Sequence, residues 1–286
     1  TAAAGLADGL LRRQDQEIVV RVGHEPAERF FGNQLAPRID EGVAGWWTDH
    51  SDRVSGELCP GTPSRNLFGA LWNRLIVQIM ARHGHPSHVT LSRGGCIGGQ
   101  RYMVPWPGDT RSGIDAFAED IWFCLSAGLA GYAFSSVDLG GFTPPSDGVL
   151  PDDPERFHHE MFNEPNIARR LCHSIFFVPV PRIHNSGRTV PKLPWNCPES
   201  TRELYRRFLE LRYRFTPYIY SYAVQAARTG DPIVRPLVYH YQDDPVTHEI
   251  GEELMLGESL LVAPVTEADA VRRRVYLPKG RWVHLW

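Results

Sequence analysis

Two aspartates sit where acid/base chemistry could be done. Asp109 ends the stretch Trp106-Pro-Gly-Asp109, and Asp49, sixty residues upstream, ends Trp46-Trp-Thr-Asp49. Each carboxyl group follows tryptophan and closes an apolar run. Such a pair suits a sugar substrate: one carboxylate attacks or stabilises the anomeric carbon while the other protonates the leaving oxygen. Indole rings suit the same task, because they stack on the apolar face of a pyranose. On sequence alone each aspartate also reads as a helix N-cap, Asp109 above all, since a helical pattern begins a few residues after it.

Other polar groups follow apolar runs in the same way. Arg93 ends Leu91-Ser-Arg93, Asp138 opens Asp138-Leu-Gly-Gly-Phe142, and His184 ends Arg182-Ile-His184. Arg93 reads either as a contact to a sugar hydroxyl or a carboxylate, or as an ordinary rim salt bridge. Asp138 reads as a sugar ligand or as an orienter of a neighbour. A lone histidine after a strand is more often structural than functional. Trp47, Trp106 and Phe142 read equally as sugar-facing walls or as core.

The elements that must place these groups alternate. Strands are predicted at Ile18–Val22, Val43–Trp47, Val89–Ser92, Gly131–Val137 and Phe177–Val180, with helices around 67–80, 112–127 and 164–177. A glycine-rich loop over 94–108 is long enough to be functional. Strand, loop and helix in repetition predict a parallel α/β architecture. The polar groups collect at strand C-termini, as in a (β/α)₈ TIM barrel, and no G-x-G-x-x-G follows a strand to favour a doubly wound sheet. A long helix over 199–228, interrupted at Pro217, closes this part. From residue 231 short strands at Ile233–Leu237, Leu260–Ala263 and Arg274–Leu277 predict the start of an all-β sandwich. The predicted domains are therefore 1–230, of barrel type, and 231–286, a truncated sandwich.

Bulk properties exclude several classes. Apolar residues make up 42% of the 286, enough for a large core, and the formal charge is −3. That charge gives no reason to expect nucleic acid or an anionic membrane as partner. Five scattered cysteines without a C-x-x-C pattern favour free thiols in a reducing, cytoplasmic setting over a disulfide framework. No signal peptide or membrane span is visible. Both ends read as cut, so a homo-oligomer is left open. His83, His85 and His88 cluster in a loop, but no carboxylate is spaced to complete a metal site. His158-His159 and the arginine-rich face of 202–214 read as solvated surface or packing.

Taken together and in order, these motifs resemble glycoside hydrolase family 31, which includes α-glucosidases and α-xylosidases, from about residue 40 to the end. Trp47-Thr-Asp49 is similar to the family's nucleophile motif, and Gln100-Arg-Tyr102 with Trp106-Pro-Gly-Asp109 to its acid/base motif. Leu91-Ser-Arg93, Asp138-Leu-Gly-Gly-Phe142 and Arg182-Ile-His184 are similar to its strand-end motifs. Met255-Leu-Gly257, Leu260-Leu-Val-Ala-Pro264 and Tyr276-Leu-Pro-Lys-Gly-Arg-Trp282 are similar to its C-terminal sandwich. The resemblance implies a retaining α-glycosidase without cofactor or metal, of which residues 1–230 are the C-terminal, later part of the barrel; with the early strands missing, sheet edges are left unpaired and the chain by itself is expected to be inactive and aggregation-prone. Asp49 would be the nucleophile and Asp109 the acid/base, the two carboxyl groups about 5–5.5 Å apart. Burial beside Trp106 would raise the pKa of Asp109. Trp47, Arg93, Trp106, Asp138, Phe142 and His184 would hold an oligosaccharide or α-glycoside substrate.

The chain departs from the family at Ser51-Asp52, where asparagine or glycine precedes glutamate, and at Ser135-Ser-Val137, where tryptophan and histidine are usual. Trp47, two positions before the nucleophile, tilts the implied substrate toward a glucoside; α-xylosidases of the family tend to have lysine there. α-Xylosidase, transglycosylase and non-catalytic sugar-binding readings stay beside it.

Overall fold

The computed structural model describes residues 2–9, 11–14, 17–51, 65–143, 165–186 and 192–285. The expected loop over 56–64, Asp52, the proline-rich insertion up to about 160 and His158-His159 lie outside the described residues. The chain forms two compact units, Thr1–Trp106 and Pro107–Trp286.

In the first unit, helix α1 (Ala2–Ala7) leads to an antiparallel pair, β1 (Leu11–Gln14) with β2 (Glu17–Val20). The predicted Ile18–Val22 strand is β2. Its partner β1 was not foreseen, nor was helix α2 (Glu25–Asp40), whose sequence is polar overall and opens with Pro26 in its first turn. Strand β3 (Gly45–Thr48), helix α3 (Arg65–Arg82) and strand β4 (Val89–Arg93) then make a parallel unit. Parallel strands need a crossover, and α3 supplies it. Leu75, Ile76, Ile79 and Met80 of α3 join Ala27 and Ile39 of α2 and Leu11 and Val20 of the hairpin in one core.

The loop predicted over 94–108 is not all loop. A 3₁₀ turn (Gly99–Arg101) and a third parallel strand, β5 (Val104–Trp106), lie inside it. Val104-Pro-Trp106 is too short and too proline-marked to read as a strand. It pairs only because β4 offers Leu91–Arg93 beside it, Arg93 opposite Trp106.

In the second unit, a 3₁₀ turn (Ile114–Ala116) runs into helix α4 (Phe117–Leu129), and helix α5 (Pro165–Phe177) follows. Helices α6 (Glu199–Arg214) and α7 (Thr216–Thr229) break at Phe215, just ahead of Pro217. A three-stranded antiparallel sheet is built from β6 (Val234–Pro236), β7 (Leu254–Leu256) and β8 (Leu260–Val262). Phe117, Ile121, Leu171, Ile175, Ile233, Val234, Leu254 and Leu256 share one core. The expected domain boundary after residue 230 therefore lies inside this unit.

Three predicted strands differ. Gly131–Val137 and Phe177–Val180 form no ladder. They meet through Val180 N–H to Ser135 O (3.0 Å), Leu139 N–H to Arg182 O (3.0 Å) and a parallel bridge between Asp138 and Arg182. Val180 and Arg182 are the residues whose backbone faces that segment, Pro179 and Pro181 have no amide hydrogen to give on the opposite side, and Phe177 belongs to α5. Arg274–Leu277 is also unladdered, because Tyr276 gives its N–H to the Glu253 carboxylate at 3.1 and 3.2 Å. Leu237 opens a short helix, α8 (Leu237–His240), instead of ending a strand.

Of the two readings given for the arginines of 202–214, Arg212 takes the packing one. Its guanidinium reaches the carbonyls of Phe176 (3.1 Å), Val178 (2.7 Å) and Pro179 (2.8 Å). These are acceptors freed at the end of α5, so Arg212 fixes the segment that runs on to Arg182 and His184.

Candidate active site

Strand register in the first unit brings Asp49 and Arg93 together. Thr48 lies opposite Ser92, so the residues that follow, Asp49 and Arg93, leave adjacent strands at the same C-terminal edge. Arg93 Nε is 3.3 Å from Asp49 Oδ1; the arginine side chain is buried and the aspartate is 31% exposed. Asp49 Oδ1 also accepts the His50 N–H at 2.6 Å, and His50 Nε2 is 3.4 Å from Oδ2. His50 has φ +60°, unusual for a residue other than glycine. That turn sends the chain away from the strand end and leaves the carboxylate beyond it. No described helix begins at Asp49, so it is not a cap of one.

Beneath the strand ends lies a buried polar knot. Asn73 on α3 donates to Gly69 O (2.7 Å), Ser92 Oγ (2.8 Å) and more weakly Met103 Sδ (3.2 Å), and accepts from Thr48 Oγ1 (2.9 Å). Ser51 donates to the Arg93 carbonyl and shares a 3.2 Å contact with Ser92 Oγ. β3, β4 and α3 are thus pinned just behind Asp49 and Arg93. No sequence motif pointed to Asn73. Its position on the buried face of an otherwise apolar helix was the available signal.

The two tryptophans take different parts. Trp47 is 45% exposed and Trp106 is 1% exposed, their rings 5.5 Å apart. The Arg93 guanidinium lies 5.4 Å from the Trp106 ring centroid. Trp106, read equally as a sugar-facing wall or as core, is buried and packs behind Trp47 and Arg93. Trp47 keeps an open indole face.

The second unit carries Asp109, Asp138, Phe142 and His184. Asp109 is exposed, so the burial expected beside Trp106 is not supplied by the described residues. Nor is it a helix cap, since the next helical turn is capped by Gly113. The chain after Asp109 is tied to the segment after Asp138. Phe142 N–H donates to Thr110 O (2.7 Å), Ser112 N–H to Thr143 O (2.9 Å), and Arg111 bridges Thr143 in parallel.

Asp138 is fully buried and paired with Arg182. That burial favours the orienting role over direct sugar contact. Phe142 and His184 stack at 4.7 Å with rings 13° from parallel, forming one wall. Burial, then the positive charges of Arg182 and Lys192, hold the His184 imidazole below its ordinary pKa, against the pull of Asp138 and Asp109. A neutral imidazole has one N–H to donate and one nitrogen to accept.

Three charged residues that sequence reasoning missed lie below this wall. Arg170 and Asp120 form a fully buried ion pair at 2.6 Å, and Lys192 is buried with its ammonium on the Gly141 carbonyl. Among the described residues no three His, Cys, Asp or Glu side chains converge as metal ligands, and no helix is long and apolar enough to cross a membrane.

Comparison with known proteins extends these findings. The sequence model of the glycosyl hydrolases family 31 TIM-barrel domain matches residues 7–222, and that of the family 31 C-terminal domain matches 230–286. The chain is 32% identical over 196 residues to α-glucosidase 2 of Bacillus thermoamyloliquefaciens, covering 68% of this chain and 23% of that protein. It is 28% identical over 279 residues to an α-xylosidase of Saccharolobus solfataricus, covering 92% and 36%. Among solved structures it matches the Flavobacterium johnsoniae family 31 dextranase complexed with isomaltotriose, with a TM-score of 0.82 at 25% identity, over 97% of this chain and 37% of that one. The chain thus spans less than two fifths of the length of these relatives. The fold is a portion of a TIM barrel followed by the family's C-terminal domain.

Proposed function

The chain belongs to glycosyl hydrolase family 31, and on that premise we propose that it carries the centre of a retaining α-glycosidase acting on terminal α-linked glucosyl residues. The observation that carries this reading is the Asp49–Arg93 pair at the shared C-terminal edge of two parallel strands. This is the end of a barrel where catalytic groups collect.

In the proposed reaction the ionised Asp49 attacks the anomeric carbon as protonated Asp109 gives its proton to the leaving oxygen. The C–O bond to the leaving group breaks and a β-linked glycosyl ester forms. Asp109, now a carboxylate, takes a proton from water, which attacks the same carbon from the α face and frees Asp49. Trp47 offers a stacking face, and its place two residues before Asp49 supports a glucoside over a xyloside. Neutral His184, backed by Phe142, donates to a hydroxyl. Arg93 holds Asp49, and Asp138 orients Arg182. The barrel and C-terminal portions meeting near residue 230 belong to the same proposal.

The two carboxylates are told apart by azide rescue of the full-length protein. Asp49→Gly should lose about 10³-fold or more of its turnover and yield β-glycosyl azide from an activated α-glucoside. Asp109→Ala should yield the α-azide, because azide then attacks the ester from water's side. The opposite assignment of products, or wild-type turnover in either variant, would contradict these two roles.

A further inference from the structure

A buried lysine needs a reason, because taking an ammonium out of water is costly unless it is paired or hydrogen-bonded. Lys192 is fully buried, lies outside every motif that marks the site, and donates from Nζ to the carbonyl of Gly141. Burial brings its pKa down to about 8, with Asp138 pulling the other way. The stem of Lys192 packs on Gly140, where a Cβ would stand 3.1 Å from Lys192 Cδ. Gly140 and Gly141 both hold φ near +80°, and a Cβ on Gly141 would come within 2.4 Å of Arg111 O. Only glycine allows that close approach.

The turn held by Lys192 is therefore pressed directly on the backbone two residues past Asp109. From the other side Arg170, its charge met by Asp120, donates to the carbonyls of Arg111 and, at 2.6 Å, Gly113. Phe142, next in the turn, bonds Thr110 and stacks on His184. Lys192 N–H also donates to Asn185 Oδ1 at 3.3 Å, next to His184. One ammonium thus sits where the Asp109 loop and the Phe142–His184 wall are joined.

From this juxtaposition we infer that Lys192 is a positioning residue for the acid/base: it locks the Gly140–Phe142 turn and, through it, the aim of Asp109 at the leaving oxygen. The inference rests on the glycosidase reading and adds to it a residue that touches neither substrate nor the reacting atoms.

The test is leaving-group dependence in the full-length protein. Lys192→Met and Asp109→Ala are compared with wild type on aryl α-glucosides running from 2,4-dinitrophenyl, which departs without a proton, to phenyl, which needs one. A displaced acid slows only the substrates that need it. Lys192→Met should lower kcat/KM by about 10- to 100-fold for the phenyl glucoside and by less than about threefold for the dinitrophenyl glucoside. An equal loss across the series is what a merely structural lysine would give, and it overturns the inference, as does no loss. Should the methionine variant not accumulate folded, Lys192→Gln, a shorter donor without charge, takes its place and must show the same slope. If Asp109→Ala itself is flat across the series, the glycosidase reading falls and takes this inference with it. If Asp109→Ala is steep and the lysine variant flat, only the role of Lys192 is lost.

Discussion

Replacing Asn73 by leucine keeps the side chain's branched shape and removes its hydrogen bonds. Three of those bonds are short and well buried: to Gly69 O at 2.7 Å, Ser92 Oγ at 2.8 Å and from Thr48 Oγ1 at 2.9 Å. At about 1 kcal/mol net for each buried bond the loss is about 3 kcal/mol. The stranded partners have poor substitutes, Thr48 reaching Leu91 O at 3.5 Å and Ser92 reaching Arg93 O at 3.4 Å. They recover part of it, so the expected cost is about 2–3 kcal/mol. The loss falls on the ladder between β3 and β4. Hydrogen exchange there should accelerate by roughly 30- to 140-fold, at about 1.4 kcal/mol per tenfold, while the β6–β8 sheet exchanges as before. Acceleration below threefold in both β3 and β4, in a variant confirmed as leucine, would show that this residue does not hold the strand ends.

Two further outcomes follow from named contacts. Arg93→Met removes a charge-assisted contact 3.3 Å from Asp49; kcat/KM should fall about 10- to 100-fold, matching about 1.5–3 kcal/mol for a hydrogen bond to a charged group, and a folded variant within threefold of wild type would refute the role. His173 is partly buried, accepts the Val265 N–H at Nδ1 and has its pKa lowered to about 4, chiefly by loss of solvation. The unfolded chain takes up this proton first, so the stability held above about pH 6.5 drains as pH falls toward 4, by roughly 3 kcal/mol. Urea denaturation of wild type and His173→Gln across that window should show a steeper decline in wild type; parallel profiles would contradict it.

Much of the architecture was legible because apolar periodicity and turn residues agree with burial. Leu75 and Met80 mark α3, Phe117 and Ile121 mark α4, and the run to Thr48 marks β3. What was illegible depends on partners distant in sequence. β5 exists through its pairing with β4, and Gly131–Val137 forms no strand because it meets its neighbour only through isolated bonds such as Val180 N–H to Ser135 O. Strand-end polar groups were readable as candidates, since a barrel gathers them at one edge. Which of them are exposed was not. Trp47 and Trp106 look alike in sequence, yet one is open and the other sealed. Asp120 shares its helix face with Ala116, Phe117, Phe123 and Cys124, a signal of burial that could have been seen, whereas Arg170, beside Arg169 and flanked by Asn166 and His173, gave none. Lys192 gave no such sign; only the approach of Gly141 to Arg111 explains it.

The nucleophilic role of Asp49 is decided by finding which residue becomes esterified. A 5-fluoro-α-glucosyl fluoride forms the ester quickly and releases it slowly, so the labelled full-length protein can be digested and its peptides mapped by mass spectrometry. One sugar is expected on the peptide containing Trp47-Thr-Asp49, attached at Asp49 and absent from Asp49→Gly. A label on another carboxylate, or steady turnover of α-glucosides with no covalent species formed, would rule that role out.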